Sequence, residues 1–180
     1  MIEAENSIVI GAPIGNVWDY VQDISRWANL FPGCRECTVI DDHNSRWVIK
    51  VGAGGLVRTV NVMVRVERWD GPERVDFSYA LEAEPVVGSG SYVASMKEPH
   101  ETQITLKVRV EGSGSMAPMW EAVSRPLLPQ LAKSFSGRLK TEIENGATAA
   151  LATASATPAR PSPLRLTAAW LRRTWQKLFG

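Results

Sequence analysis

The hydrophobic pattern of the chain changes period twice. Residues 5–11 (E-N-S-I-V-I-G) read as an opening strand that Ala12-Pro13 ends. Pro13 is well placed to begin a helix. Ile14, Val17, Trp18 and Val21 follow at helical spacing, and residues 25–30 (S-R-W-A-N-L) restart as a second short helix. Phe31-Pro32-Gly33 stops it. The period then becomes two. Strands are expected at 34–41, 46–52, 60–66, 74–82, 86–97 and 102–111, with a loop at 52–59. The strand at 60–66 alternates most cleanly, with Val60, Val62, Val64 and Val66 on one face. After Gly112-Ser113-Gly114-Ser115 the period returns to 3.6. Trp120, Val123, Leu127, Leu131, Phe135, Leu139 and Ile143 form one stripe over 117–144. That helix would be roughly 40 Å long. Pro126 and Pro129 predict a kink or break within it.

The predicted order is β-α-α-β-β-β-β-β-β-α, an α+β fold. A strand meander with a terminal helix implies an antiparallel sheet packed on one face. One helix is too small to cover six or seven flat strands. A strongly curved sheet gripping the helix solves this and leaves a cavity between the two, suited to an apolar ligand. The inward faces nominate Trp47, Val62, Val64, Phe77, Tyr79, Met96, Leu106, Val108, Trp120, Leu127, Leu131 and Phe135 as lining residues. Tyr79 and Trp120 are the preferred contacts, because each offers a hydrogen bond inside an apolar site.

Charge adds a second theme. The 180 residues carry a net +1, which suggests no nucleic-acid partner. From residue 160 onward there are five basic residues, Arg160, Arg165, Arg172, Arg173 and Lys177, and no acid. The remainder therefore carries −4. Residues 146–163, rich in Ala, Thr, Ser and Pro, have the composition of a flexible linker. Extended, they would reach roughly 60 Å. Alternatively, Ala147–Ala154 continues the preceding helix. In residues 164–180 helical phase gathers Leu164, Leu171, Trp175, Leu178 and Phe179 on one side. Arg165, Arg172, Arg173 and Lys177 occupy much of the other. A basic face opposite Trp, Leu and Phe is expected to lie in the headgroup plane of an anionic membrane. Docking on a partner protein is the alternative. The acidic N-terminus does not read as an export signal, and no run of about 18 apolar residues is present. A cytoplasmic protein, peripheral on the inner face of the membrane, is expected.

Little points to catalysis or metal. Asp19, Asp23, Asp41 and Asp42 sit where caps and turns use them. His43 and His100 lie in polar turns. Cys34 and Cys37 form a C-x-x-C pair without a second ligand pair, so a core cysteine and a free thiol are expected. Gly52–Gly55 and Gly88-Ser89-Gly90 lack a P-loop lysine and read as bends or bulges.

Several motifs together resemble a known family. They are A-P-I-x-x-V-W at 12–18, D-I at 23–24, P-G-C at 32–34, V-G at 51–52, G-S-G at 88–90 and L-x-x-x-F at 131–135. Over residues 4–145 the chain looks like the START/birch-pollen-allergen helix-grip proteins, also called SRPBCC. Within them it resembles the CoxG family, the accessory proteins of carbon monoxide dehydrogenase. The loop at 52–59 lacks that family's aromatic-glycine step, and the prolines in the last helix depart from it. The resemblance implies a non-catalytic accessory protein with no covalent cofactor. Such a protein carries a lipid such as a quinone and tethers a molybdenum-containing hydroxylase to the cytoplasmic membrane. Two alternatives stay open: a helix-grip enzyme of the polyketide cyclase/dehydratase type, and a recruitment module with a filled core.

Overall fold

The computed structural model describes residues 1–53 and 56–155. Ten elements and one 3-10 turn follow in the order β1 (Ile2–Ile10), α1 (Ile14–Val21), α2 (Ile24–Leu30), β2 (Cys34–Val39), β3 (Asn44–Ala53), β4 (Leu56–Asp70), β5 (Arg74–Leu81), β6 (Val86–Glu98), β7 (Glu101–Gly112) and α3 (Ala117–Ser155). The seven strands form one antiparallel sheet in the order β1-β7-β6-β5-β4-β3-β2. This is the expected curved sheet with a long C-terminal helix. Register shifts at Cys34/Glu36, Val66/Arg68 and Met96/Glu98 interrupt the ladders. Each such bulge adds local twist and bends its strand.

Local chemistry sets the element ends. Pro13 precedes the first turn of α1. The Asp23 carboxylate caps α2, accepting from the Ser25 backbone N–H at 3.0 Å and the Ser25 hydroxyl at 2.6 Å. Asp41 closes the β2–β3 turn by accepting from the backbone N–H groups of His43 and Asn44, both at 2.8 Å. Its side-chain bond to Asn44 is the largest influence holding this carboxyl below its ordinary range. The aspartates thus serve turns and caps.

Three expectations change. The loop read at 52–59 is mostly strand: Gly52 pairs with Val57, Val51 with Arg58 and Lys50 with Thr59. Four extra residues join β4 because the sheet ladder continues past the end of the apolar alternation. Pro126 and Pro129 do not break α3. Both prolines are exposed or nearly so along the outer side of the helix, where solvent can satisfy the carbonyls that lose their helical donors. Finally, α3 continues to Ser155, into the segment whose composition suggested a linker. Alanine, the best helix former, is frequent in this stretch. The chain divides into two units, Met1–Thr148 and Ala149–Gly180. The proposed membrane helix at 164–180 lies outside the described residues.

The inward face of the sheet, α1, α2 and one side of α3 form the core. Ile10, Val17, Val66, Val75, Ala28 and Ile104 are essentially inaccessible. Far along α3, Lys140 Nζ donates to the Val9 carbonyl at 2.7 Å and to Glu144 Oε1 at 2.6 Å. Glu144 also accepts from the Gly11 N–H at 2.7 Å. This staple ties the helix to the end of β1. The bond from Lys140 is the main influence that lowers the Glu144 carboxyl, and the Gly11 N–H adds to it. A carboxyl lowered in the folded state stabilises above its unfolded value and loses that effect as pH falls through the folded value. Glu144→Gln should therefore lower the unfolding midpoint slightly at pH 7, by less than ~1 kcal/mol for so solvated a pair. The difference should vanish as pH drops below the ordinary glutamate value of 4.5. Thermal unfolding of both proteins across pH checks this, and a pH-independent gap would contradict it.

Candidate functional site

The buried apolar side chains fall into two clusters. The larger one centres on α1, α2 and the middle of the sheet, and includes Val21, Trp27, Trp47, Val64, Tyr92 and Leu139. The smaller one gathers Ala4, Val86, Val110 and Leu128, with Trp120 packed against them. Tyr79 and Leu81 pack against both. Between sheet and helix lies a cavity of about 200 Å³ whose walls come from both clusters. A dry apolar void of about 150 Å³ is enough to admit a benzene-sized molecule. This space is therefore large enough for a ring or a stretch of acyl chain.

Eleven of the twelve residues nominated from alternation line it: Trp47, Val62, Val64, Phe77, Tyr79, Leu106, Val108, Trp120, Leu127, Leu131 and Phe135. Met96 does not, and is 64% exposed. It has the same strand parity as Tyr92 and Ala94, but it sits at the far end of β6 where the bulge begins. Alternation assigns a face, and only the outline of the packed layers says how far along the strand that face stays covered.

Several wall residues escaped the sequence reading. Val21, Trp27 and Phe31 come from the two short helices and the residue that follows them. Their helical spacing marked them as buried without saying against what. Tyr92, 4% exposed, is the most consequential omission. The alternation of β6 carries it inward between Gly90 and Ala94. Ser124, Leu128 and Ala132 show that the wall on α3 is wider than the single predicted stripe. Ala132 and Ser136 are buried and small, which lets helix and sheet approach closely.

The glycines of G-S-G make room for the walls. Gly88 pairs with Tyr79 and Gly90 with Phe77 across β5 and β6. A Cβ at Gly88 would lie 2.1 Å from the Tyr79 ring, and one at Gly90 2.3 Å from the Phe77 ring. The rings occupy the space that side chains would otherwise take. Gly33 of P-G-C has a different task. Its φ is +85°, and an added Cβ would meet the Lys50 carbonyl at 2.2 Å. The Lys50 N–H in turn donates to the Gly33 carbonyl at 2.8 Å. This contact fixes the chain leaving α2 against β3, beside Trp47 and Ile49.

An aromatic cluster continues from the cavity wall toward α1. Trp27 packs on Phe77 and on Trp69, each with ring centroids 5.8 Å apart, and Trp18 meets Trp69 edge-on at 6.1 Å. Phe31 meets Trp47 at 6.0 Å. The polar tips of the cavity walls are mostly committed. Trp27 Nε1 donates to the Val21 carbonyl at 2.7 Å and Trp47 Nε1 to the Ser45 hydroxyl at 2.9 Å. The Tyr79 hydroxyl donates to the Arg109 carbonyl at 2.9 Å, so this preferred ligand contact is already engaged. The Tyr92 hydroxyl and Trp120 Nε1 are buried without a hydrogen-bond partner. Burial pushes the Tyr79 and Tyr92 hydroxyls far above the ordinary phenol range, so both stay protonated.

No Asp, Glu, His, Lys, Arg or Cys is among the described lining residues. Cys34 and Cys37 are free and half-buried on β2. Burial pushes both thiols up, away from the thiolate form that metal or redox chemistry uses. Among the described residues no three His, Cys, Asp or Glu side chains converge, and no helix is long and apolar enough to cross a membrane.

A family model described as "Polyketide cyclase / dehydrase and lipid transport" matches residues 1–150. The chain belongs to this family. Its fold places it in the SRPBCC/START helix-grip superfamily. Solved structures agree with this. A conserved protein from Geobacillus kaustophilus is 18% identical with a TM-score of 0.70, over 80% of this chain and 96% of that one. The Zhui aromatase/cyclase from a Streptomyces species is 18% identical with a TM-score of 0.61, over 83% and 97%. A START superfamily protein from Mycobacterium smegmatis is 14% identical with a TM-score of 0.59, over 77% and 97%. At these identities the likeness is one of fold. No curated protein matches the chain. The polyketide cyclase and lipid transport family thus supplies the architecture, and the side chains of the cavity must supply the function.

Proposed function

We propose that this protein is a non-catalytic carrier for an apolar lipid, with a quinone as the candidate cargo. Its C-terminal segment would hold it, and a partner enzyme of the molybdenum hydroxylase class, at the inner face of the cytoplasmic membrane. The observation that carries the reading is the cavity of about 200 Å³, walled by aromatic and aliphatic side chains from both sheet and helix with no ionisable acid or base except tyrosine. Such walls reward transfer of apolar surface from water, at roughly 25 cal/mol per Å² buried. They offer no group to shuttle protons near neutral pH. The lipid-transport half of the family description agrees with this use. The partner and the tether rest on the CoxG-like sequence motifs and on the basic, tryptophan-bearing segment 164–180.

Protein purified from its own membranes should release a stoichiometric neutral lipid on organic extraction, read by mass spectrometry. An empty extract would count against the carrier. The full chain should sediment with anionic vesicles, and a chain lacking 164–180 should stay in the supernatant. Equal sedimentation of both would remove the tether.

A second reading is a cyclase or dehydratase acting on a polyketide-like chain. The other half of the family description and the aromatase/cyclase relatives favour it. The buried Tyr92 hydroxyl would then be the proton donor. Loss of water from a poly-β-keto thioester in the presence of the protein, absent with Tyr92→Phe, would select this reading over the carrier.

A further inference from the structure

Two polar atoms in the walls have nothing to bond. The Tyr92 hydroxyl and the Trp120 indole N–H are both buried and unpaired. Buried polar groups in folded proteins almost always find partners, because an unpaired one forfeits its hydration without return. The other aromatic tips of the cavity wall obey this: Trp27, Trp47 and Tyr79 each donate to a named oxygen within the protein. The two exceptions are not neighbours. Tyr92 belongs to the larger core cluster and Trp120 packs against the smaller one, so they mark the two ends of the cavity. Along β6, Tyr92 pairs with Leu106, whereas Val86 pairs with Gly112, over which Trp120 sits. Those two rows are six positions apart, about 20 Å of strand.

The chemistry of the pair is specific. An indole N–H only donates, so the group it meets must be an acceptor. A tyrosine hydroxyl donates as well, and deep burial keeps it protonated. The described walls carry no cation to neutralise an anionic ligand. An ionised carboxylate or phosphate there would be desolvated and unpaired, which is costly.

We propose that the cavity takes a neutral ligand with carbonyl-type oxygens at two separated points of an apolar frame, one accepting from Trp120 Nε1–H and the other from the Tyr92 hydroxyl. This rests on the carrier reading and narrows it. Quinones and ketones fit; free fatty acids and phospholipids do not.

Four probes of equal chain length separate the contributions: tridecane, its methyl ketone, its diketone with a carbonyl near each end, and tridecanoic acid at pH 8. Calorimetric titration of the full chain should rank the diketone above the ketone and the ketone above the alkane. Each hydrogen bond should contribute about tenfold, and the acid should bind weakest. Trp120→Phe and Tyr92→Phe should each remove about one tenfold step for the diketone and leave tridecane unchanged. Indole N–H resonances of the unmutated protein give a readout independent of variant folding. The Trp120 signal, assigned by its loss in Trp120→Phe or by sequential labelling, should shift with either ketone and far less with the alkane. Equal binding of alkane and diketone with no selective indole shift would overturn the neutral-acceptor proposal and leave the carrier standing. Tightest binding by the acid would overturn it too. If none of the four probes binds, the carrier reading falls with it.

Discussion

Gly33→Ala is expected to lower the unfolding midpoint by on the order of 10 °C, the largest single-residue effect foreseen for this fold. Two independent constraints meet at this glycine. Its φ of +85° lies in the region that residues with a Cβ avoid, and a Cβ would approach the Lys50 carbonyl to 2.2 Å. The carbonyl cannot swing away cheaply, because Lys50 is tied to Gly33 through its N–H and to Thr59 through the β3–β4 ladder. A cost of about 4 kcal/mol is at the upper end for point substitutions, and each kcal/mol moves the midpoint of a domain this size by roughly 2–4 °C. Gly33→Asn separates the constraints. Asparagine tolerates positive φ, yet it carries the same Cβ. If the close approach dominates, it should be nearly as damaging as alanine. A midpoint close to that of the unmutated protein with asparagine would show that φ alone matters, and unchanged stability with alanine would refute the whole account.

The second large effect concerns binding. Val108→Phe should reduce affinity for an apolar cargo by about a hundredfold while leaving the cargo-free protein as stable as before, or up to about 1 kcal/mol more stable. Val108 lines the cavity and stands beside Gly90, which carries no side chain of its own. A phenyl ring placed there would take up volume otherwise open to the ligand. If the same space were well packed, overpacking would instead destabilise by about 1–3 kcal/mol. Chemical denaturation of the cargo-free protein and titration with the diketone probe measure the two halves. A strongly destabilised variant would mean that no cavity exists at Val108. Unchanged affinity would place the cargo elsewhere.

Much of the architecture is legible in the order of residues. Strict alternation at Val60, Val62, Val64 and Val66 has one physical meaning, a strand with one buried face, and all four face the core or its edge. The same logic brought eleven correct side chains to the cavity wall. It failed at Met96, where alternation persisted past the edge of the covered layer. It also failed at the loop near 52–59, where pairing with β3 holds residues whose own pattern is weak. The prolines of α3 misled for a related reason. Proline carries a local penalty, and whether that penalty breaks a helix depends on whether the freed carbonyls face water.

The curved sheet gripping a helix, and the apolar character of what lies between them, follow from periodicity and the meander of strands. These are local properties, repeated often enough along 180 residues to add up. The polar specificity of the cavity is different. Tyr79 and Tyr92 read alike in the sequence, both inward-facing tyrosines on neighbouring strands. Only in three dimensions does the Arg109 carbonyl come within reach of Tyr79 while none reaches Tyr92. A hydrogen bond depends on the position of a partner thirty residues away to within a few tenths of an ångström. No period in the sequence encodes that, so the tertiary structure decides which groups remain to meet a ligand.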